Sequence, residues 1–98
     1  MAKRKVVWSL LAKNNRIQIL DYWIERNKSK DYSIKINNLF KEGIEFISEF
    51  PEVGKLTDDK SARIIIVRDY LIVYESNKDQ ILILTIFDGR QDPIKLKY

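Results

Sequence analysis

The side chains in this chain that could do chemistry are arginines and tyrosines in its second half. Arg63, Arg68 and Arg90 each stand beside the end of an apolar, β-branched run. A planar guanidinium can bind a phosphate through two parallel hydrogen bonds, so the three arginines are candidate anion-binding residues. The alternative is that they are solvated charges at strand ends. Tyr70 and Tyr74 are an even number of positions apart in one run, which predicts that both point into the core from the same face.

The residue types that carry most acid–base and metal chemistry are missing. The 98 residues include no histidine and no cysteine, which removes the commonest general base, the commonest metal ligand and all thiol chemistry. The sequence has no glycine-rich phosphate loop and no metal-ligand spacing. Its carboxylates are scattered, and Asp58-Asp59 is typical of a turn. We therefore expect neither a cofactor nor a metal.

Three apolar runs in the second half predict consecutive β-strands. Arg63–Val67, Tyr70–Tyr74 and Ile81–Phe87 are rich in the β-branched and aromatic residues that favour strands. The breaks between them are too short for a parallel crossover, so the three strands should form an antiparallel meander.

The first half of the chain predicts a strand and two helices. Lys5–Trp8 is a short strand candidate, and Ser9 can cap a helix that runs from Leu10 to about Asn27. Asp31 can cap a second, strongly amphipathic helix that Pro51 ends. Across these elements we expect seven residues to be largely buried: Ile36, Leu39, Ile47, Phe50, Ile66, Ile72 and Leu84.

The predicted fold class is α+β, in the order β-α-α-β-β-β, within one domain of residues 1–98. A helix hairpin should pack on one face of a four-stranded antiparallel sheet. Counting chain reversals makes the first strand antiparallel to Arg63–Val67, and we place it beside that strand. Gly43 lies within the apolar stripe of the second helix, which predicts a close approach to the first helix or to the sheet.

The predicted sheet has apolar residues on both faces, and one helix hairpin can cover only one of them. Large exposed apolar surfaces usually mark partner sites; the alternative is partial cover by the tail Ile94–Tyr98. The formal net charge is +4, which suits an anionic partner or a solvated basic surface. With no signal peptide pattern and no run of about 18 apolar residues, we expect a cytoplasmic protein without a membrane partner.

Four stretches together resemble the RelE/ParE superfamily of toxins from type II toxin–antitoxin pairs. Ile19–Ile24, with Ala12 before it, resembles the opening helix of the family. Phe50–Lys55 is similar to its "FPxxG" turn, and Arg63–Tyr74 is similar to its central hairpin. Ile86–Pro93 resembles its terminal "xxHGRRDP" signature. The resemblance spans nearly the whole chain and implies a toxin with a cognate antitoxin as partner.

The superfamily implies two different activities. Its RelE-like members cut mRNA on the ribosome, and its ParE-like members inhibit DNA gyrase without cutting anything. Here Leu71 replaces a hairpin arginine of the cutting branch, and Asp88 replaces the terminal histidine. Leucine can neither move a proton nor stabilise phosphorane charge, and aspartate repels phosphate. The departures favour a ParE-like toxin over a ribosome-dependent endoribonuclease; an inactive relic that binds only its antitoxin stays open.

The resemblance and the strand-end positions give two sets of candidate residues. The candidate functional residues are Arg63, Arg68, Arg90 and Tyr98. The candidate partner-binding residues are Lys95, Leu96 and Lys97.

Overall fold

The computed structural model describes residues 3–90 and confirms the α+β class. The elements are β1 (Lys5–Trp8), α1 (Leu10–Asn27), α2 (Asp31–Glu49), β2 (Lys55–Leu56), β3 (Arg63–Val67), β4 (Tyr70–Ser76) and β5 (Gln80–Asp88). Both helices pack on one face of the sheet, as the sequence predicts.

The sheet has five strands in the order β1-β5-β4-β3-β2 and is mixed rather than antiparallel. β1 lies parallel to β5, with Val6 beside Ile81 and Trp8 beside Ile83. The prediction that β1 is antiparallel to β3 and lies beside it was therefore wrong. The reason is β2, a two-residue strand without an apolar run, which adds one chain reversal before β3. That reversal turns β3 and β5 into the same direction as β1.

The β3–β4–β5 meander forms as predicted, with one irregularity. Val73 of β4 pairs with Thr85 and Tyr74 pairs with Ile83, so Leu84 is an extra residue in β5. Such a bulge bends the strand and increases its twist. The Thr85 hydroxyl donates to Asn15 Oδ1 at 2.6 Å, and the Ile86 N–H donates to the same oxygen at 3.2 Å. The bulge therefore fastens α1 to the sheet.

Polar caps delimit the helix hairpin. Ser9 Oγ accepts the Ala12 N–H at 3.0 Å, which confirms the predicted cap of α1. The N-cap of α2 is Lys30 instead of Asp31, and its side chain makes no capping hydrogen bond. Asp31 is the first helical residue, and its N–H donates to Ser29 Oγ at 3.2 Å; the prediction that Asp31 caps the helix was therefore wrong.

The core lies between the helices and the inner face of the sheet. Its fully buried side chains include Ile36, Phe40, Ile47, Ile72, Tyr74, Ile81, Ile83 and Ile86. This confirms Ile36, Ile47 and Ile72, and Leu39 packs against the core half-buried. Leu84 is also half-buried.

Two residues of the predicted core are exposed. Phe50 is 51% exposed because it follows the last helical turn, where its ring packs on Phe46 with 5.3 Å between ring centroids. Ile66 is 73% exposed because it points to the sheet face opposite the helices. A Cβ on Gly43 would lie 3.0 Å from Val67 Cγ2, so the predicted close approach to the sheet is confirmed.

Candidate functional site

Arg63 begins β3 and holds the turn that follows α2. Its Nη1 donates to the carbonyl oxygens of Glu52 at 3.1 Å and Gly54 at 2.8 Å. Two backbone acceptors thus occupy one guanidinium nitrogen in the described structure. The position gives Arg63 a structural role and leaves its role as a functional residue a prediction.

Tyr74 of β4 fixes the same turn, between α2 and β2, through its hydroxyl group. Its hydroxyl donates to the Pro51 carbonyl at 2.8 Å and accepts the Gly54 N–H at 3.0 Å. The side chain is fully buried, and burial raises the pKa of the phenol above its usual value. The "FPxxG" stretch therefore folds around a neutral tyrosine, which agrees with the predicted core role of Tyr74.

Arg68 lies at the opposite end of β3, in the turn between β3 and β4. Its backbone is left-handed, with φ of 58°, and its side chain is exposed. The neighbouring Asp69 carbonyl accepts the Gly89 N–H at 2.6 Å, which brings the end of β5 beside this turn. Arg68 and Arg90 therefore share one end of the sheet, whereas Arg63 stands at the other.

Arg90 is held by Asp88 in a two-pronged ion pair. Its Nη2 donates to Asp88 Oδ2 at 2.7 Å, and its Nε donates to Oδ1 at 3.0 Å. The guanidinium holds the pKa of the Asp88 carboxyl below its usual range. Asp88, which replaces the histidine of the RNA-cutting branch, thus accepts hydrogen bonds from two nitrogens of the Arg90 guanidinium.

A cleft of about 430 Å³ opens beside this ion pair, between α1 and the ends of β4 and β5. It is lined by Asn15, Gln18, Ile19, Tyr22, Tyr70, Ile86, Phe87, Asp88 and Arg90. At its base the Trp23 indole N–H donates to the Tyr70 hydroxyl at 2.7 Å, and burial raises the pKa of Tyr70. The sequence did not single out the α1 side chains, because nothing in a helical pattern shows which polar residues will meet a strand end.

No metal site or acid–base pair emerges in the cleft. Among residues 3–90, no group of three or more His, Cys, Asp or Glu side chains could hold a metal ion. Its carboxylate Asp88 is paired with its arginine Arg90, and burial raises the pKa of Tyr70, the more buried of its two tyrosines. The arrangement can offer hydrogen bonds and apolar contact to a partner, but no poised general base.

The sheet face opposite the helices forms a second candidate surface, which we call the outer face. Strand pairing sets Ile66, Leu71 and Phe87 side by side across β3, β4 and β5. Ile64 and Leu82 extend the apolar surface from this row in one direction along the strands, because they pair with Val73 and Glu75 of β4. Ile66 is the most exposed, and the other four are half-buried. Leu71, the replacement for the hairpin arginine, therefore belongs to an apolar surface.

Four predicted residues lie outside the described part of the chain. These are the candidate partner-binding residues Lys95, Leu96 and Lys97 and the candidate functional residue Tyr98. Their roles stay predictions.

Comparison with known proteins defines the class to which this fold and these surfaces belong. Residues 6–93 match the family model described as the ParE toxin of the type II toxin–antitoxin system, parDE. The chain belongs to this family of ParE toxins. Neither helix in the described range has the length and apolar character that a bilayer crossing requires.

The fold is also similar to a solved structure titled "Chromosomal ParDE TA system from P. aeruginosa". The TM-score is 0.74 at 13% sequence identity, over 88% of this chain and 96% of that chain. At this identity the similarity concerns the fold alone. No curated protein matches the sequence significantly.

Proposed function

We propose that this chain acts in the cytoplasm as a protein-binding toxin that inhibits DNA gyrase, cuts no RNA and is neutralised by a cognate antitoxin. The observation that carries the proposal, within the ParE toxin family, is the Asp88–Arg90 ion pair. RNA cleavage needs a group that moves a proton and cations that stabilise the developing phosphorane charge. In this chain the Asp88 carboxylate is paired with Arg90 and would repel a phosphate.

The remaining cationic and phenolic candidates do not replace the missing chemistry. Arg63 donates to two backbone carbonyls that fix the turn after α2, which is a structural role. Tyr74 is buried in the fold, and Leu71 contributes to the apolar outer face. Inhibition by binding requires none of these groups to react.

The outer face is the proposed antitoxin site. Its apolar row can be buried by an amphipathic segment, and burial of apolar surface supplies most of the affinity of such interfaces. Basic residues at the two ends of the chain, including Arg4, would attract an acidic antitoxin and speed the encounter, whereas Arg90 is already paired with Asp88 and Lys3 with Glu45. The neighbouring reading frame is expected to encode this antitoxin.

Expression in a bacterial host, with plasmid topology and mRNA read in the same culture, tests the proposal. We expect growth arrest, relaxed plasmid DNA and uncut mRNA, and we expect co-expression of the neighbouring reading frame to restore growth. Cuts in mRNA that require ribosomes would instead identify an endoribonuclease. Normal growth with an antitoxin that still binds would identify an inactive relic.

A further inference from the structure

A groove of about 390 Å³ runs beside β1, between that strand and α2. Its apolar lining comes from Val6 and Trp8 of β1 and from Phe40 and Ile44 of α2. The two helix residues are buried and belong to the core, while the two strand residues are half-buried at its margin. The groove is therefore open apolar surface that continues directly into the core, away from the outer face.

Four cations surround this apolar lining. They are Lys3, Arg4, Arg16 and Lys41, against the carboxylate of Glu45 in the lining and that of Glu49, which lies 3.7 Å from Lys3. Lys3 already binds Glu45 at 2.5 Å. Arg4 and Arg16 donate to neutral oxygens of Asn77 and Asn37 instead. Within residues 3–90 neither of these arginines nor Lys41 has an ion-pair partner, so the rim carries uncompensated positive charge.

The backbone along the groove is an open sheet edge. β1 is an edge strand of the sheet, and the backbone groups of alternate residues point towards β5. The Lys5 N–H donates to the Asp79 carbonyl at 3.2 Å, and the N–H of Ser9, just after the strand, donates to the Ile83 carbonyl at 3.0 Å. By alternation, the N–H and C=O groups of Val6 and Trp8 point away from the sheet. The residues whose side chains line the groove thus also present free backbone groups beside it, and such an edge is a template for another strand.

We propose that this groove binds an extended, acidic segment of a partner protein, which adds to β1 as a further strand. Backbone hydrogen bonds to Val6 and Trp8 would set its register, and alternate apolar side chains would enter the groove. The four residues of β1 span about 13 Å, which accommodates a segment of roughly four to six residues. A nucleic acid would use the cations but would leave both the apolar lining and the backbone edge unsatisfied. The proposal depends neither on gyrase inhibition nor on the outer face.

Tryptophan fluorescence provides a direct test. The chain has two tryptophans, so the variant Trp23→Phe leaves Trp8 in the groove as the only one. We would titrate it with eight-residue peptides in which Glu alternates with Val or Leu, and with matched peptides that carry Lys. The acidic peptides should shift the Trp8 emission, and the Lys peptides should not. A single-stranded oligonucleotide that shifts the emission where no acidic peptide does would overturn the proposal, as would no shift with any probe.

A matched pair of charge reversals localises the binding. Lys41→Glu changes the rim, and Lys35→Glu changes an exposed lysine of the same helix outside the groove. At low salt we expect Lys41→Glu to weaken acidic-peptide binding at least tenfold and Lys35→Glu less than twofold, with circular dichroism confirming that both fold. Equal losses in the two variants would exclude the groove.

Amide hydrogen exchange on the unmodified chain tests the added strand. In the free protein the amides of Val6 and Trp8 should exchange fast, whereas those of Lys5 and Val7, bonded to β5, should be protected. Saturation with acidic peptide should slow Val6 and Trp8 at least tenfold. Binding that leaves both amides fast would show that the occupant is not a strand.

Discussion

At the scale of single residues, the pair of Asp88 and Arg90 determines what the end of β5 can do. The guanidinium contacts both carboxylate oxygens through Nε and Nη2, so one edge of Arg90 is already occupied by a carboxylate. The sequence predicted the substitution of Asp88 for histidine and its repulsion of phosphate. It could not predict that the carboxylate would also occupy Arg90, because that depends on the backbone conformation after the strand.

The ion pair makes a prediction about titration. Because the pKa of Asp88 is lowered in the folded state, the pair stabilises the fold at neutral pH and is lost as the pH falls below the ordinary aspartate value of about 3.9. A carboxyl-carbon NMR titration should therefore give Asp88 a midpoint below that value, and Arg90→Gln should raise it. Asp59 is the internal control: hydrogen bonds from the Ser61 backbone N–H and from the hydroxyls of Thr57 and Ser61 lower its pKa to about 2, and Arg90→Gln should leave it unchanged. An Asp88 midpoint that is the same in the Arg90→Gln variant would show that the ion pair does not lower the pKa of Asp88.

Tyr74 carries a second prediction at this scale. Tyr74→Phe leaves the Pro51 carbonyl and the Gly54 N–H without their buried partner. An unsatisfied buried polar group costs about 1–3 kcal/mol, so the free energy of unfolding should fall by about that much. Tyr22→Phe, at a half-exposed tyrosine of α1, should change it by less than about 0.5 kcal/mol. Urea unfolding of both variants measures the difference, and equal losses would remove the assigned role of Tyr74.

At the scale of elements, the sequence predicted the strong periodic patterns and missed the weak one. Both helices and the three strands of the meander were predictable because their apolar spacing is long and regular. β2 was not, because two residues carry no period, and its pairing with β3 depends on contacts distant in sequence. That single omission reversed the inferred direction of β3 and moved β1 to the wrong edge. Short strands can thus decide topology while leaving almost no sequence signal.

The orientation of α2 can be tested with two isoleucines. Ile36 is fully buried, whereas Ile34, two positions earlier, is 56% exposed on the opposite side. Ile36→Ala should lower the free energy of unfolding by about 2–5 kcal/mol through lost burial and the cavity left behind. Ile34→Ala should change it by less than about 0.5 kcal/mol. Chemical denaturation of the two variants gives the comparison, and a reversed order would mean that the helix packs on another face.

At the scale of the whole molecule, the outer face and the basic ends make separate predictions about antitoxin binding. Ile66→Asp places a charge in the middle of the apolar row and should abolish the complex. Leu10→Asp, at an equally exposed leucine that begins α1, is the matched control and should leave binding unchanged. Isothermal titration with the neighbouring gene product measures both. Intact binding by the Ile66→Asp variant would show that the outer face is not the site.

The charges should affect the rate of association more than its strength. Raising the ionic strength from about 0.05 M to 0.5 M shortens the Debye length from roughly 14 Å to roughly 4 Å. In stopped-flow experiments the association rate should fall markedly while the dissociation rate changes little. An association rate that does not change with salt would show that these charges do not attract the antitoxin.

We propose that the chain inhibits gyrase and cuts no RNA. The most direct measurement is a supercoiling assay with purified gyrase from the same organism, titrated with the purified chain, beside a translating-ribosome reaction that contains the same amounts. We expect dose-dependent loss of supercoiling, its recovery on adding the neighbouring antitoxin, and intact mRNA. Unimpaired supercoiling together with cleaved mRNA would contradict the proposal.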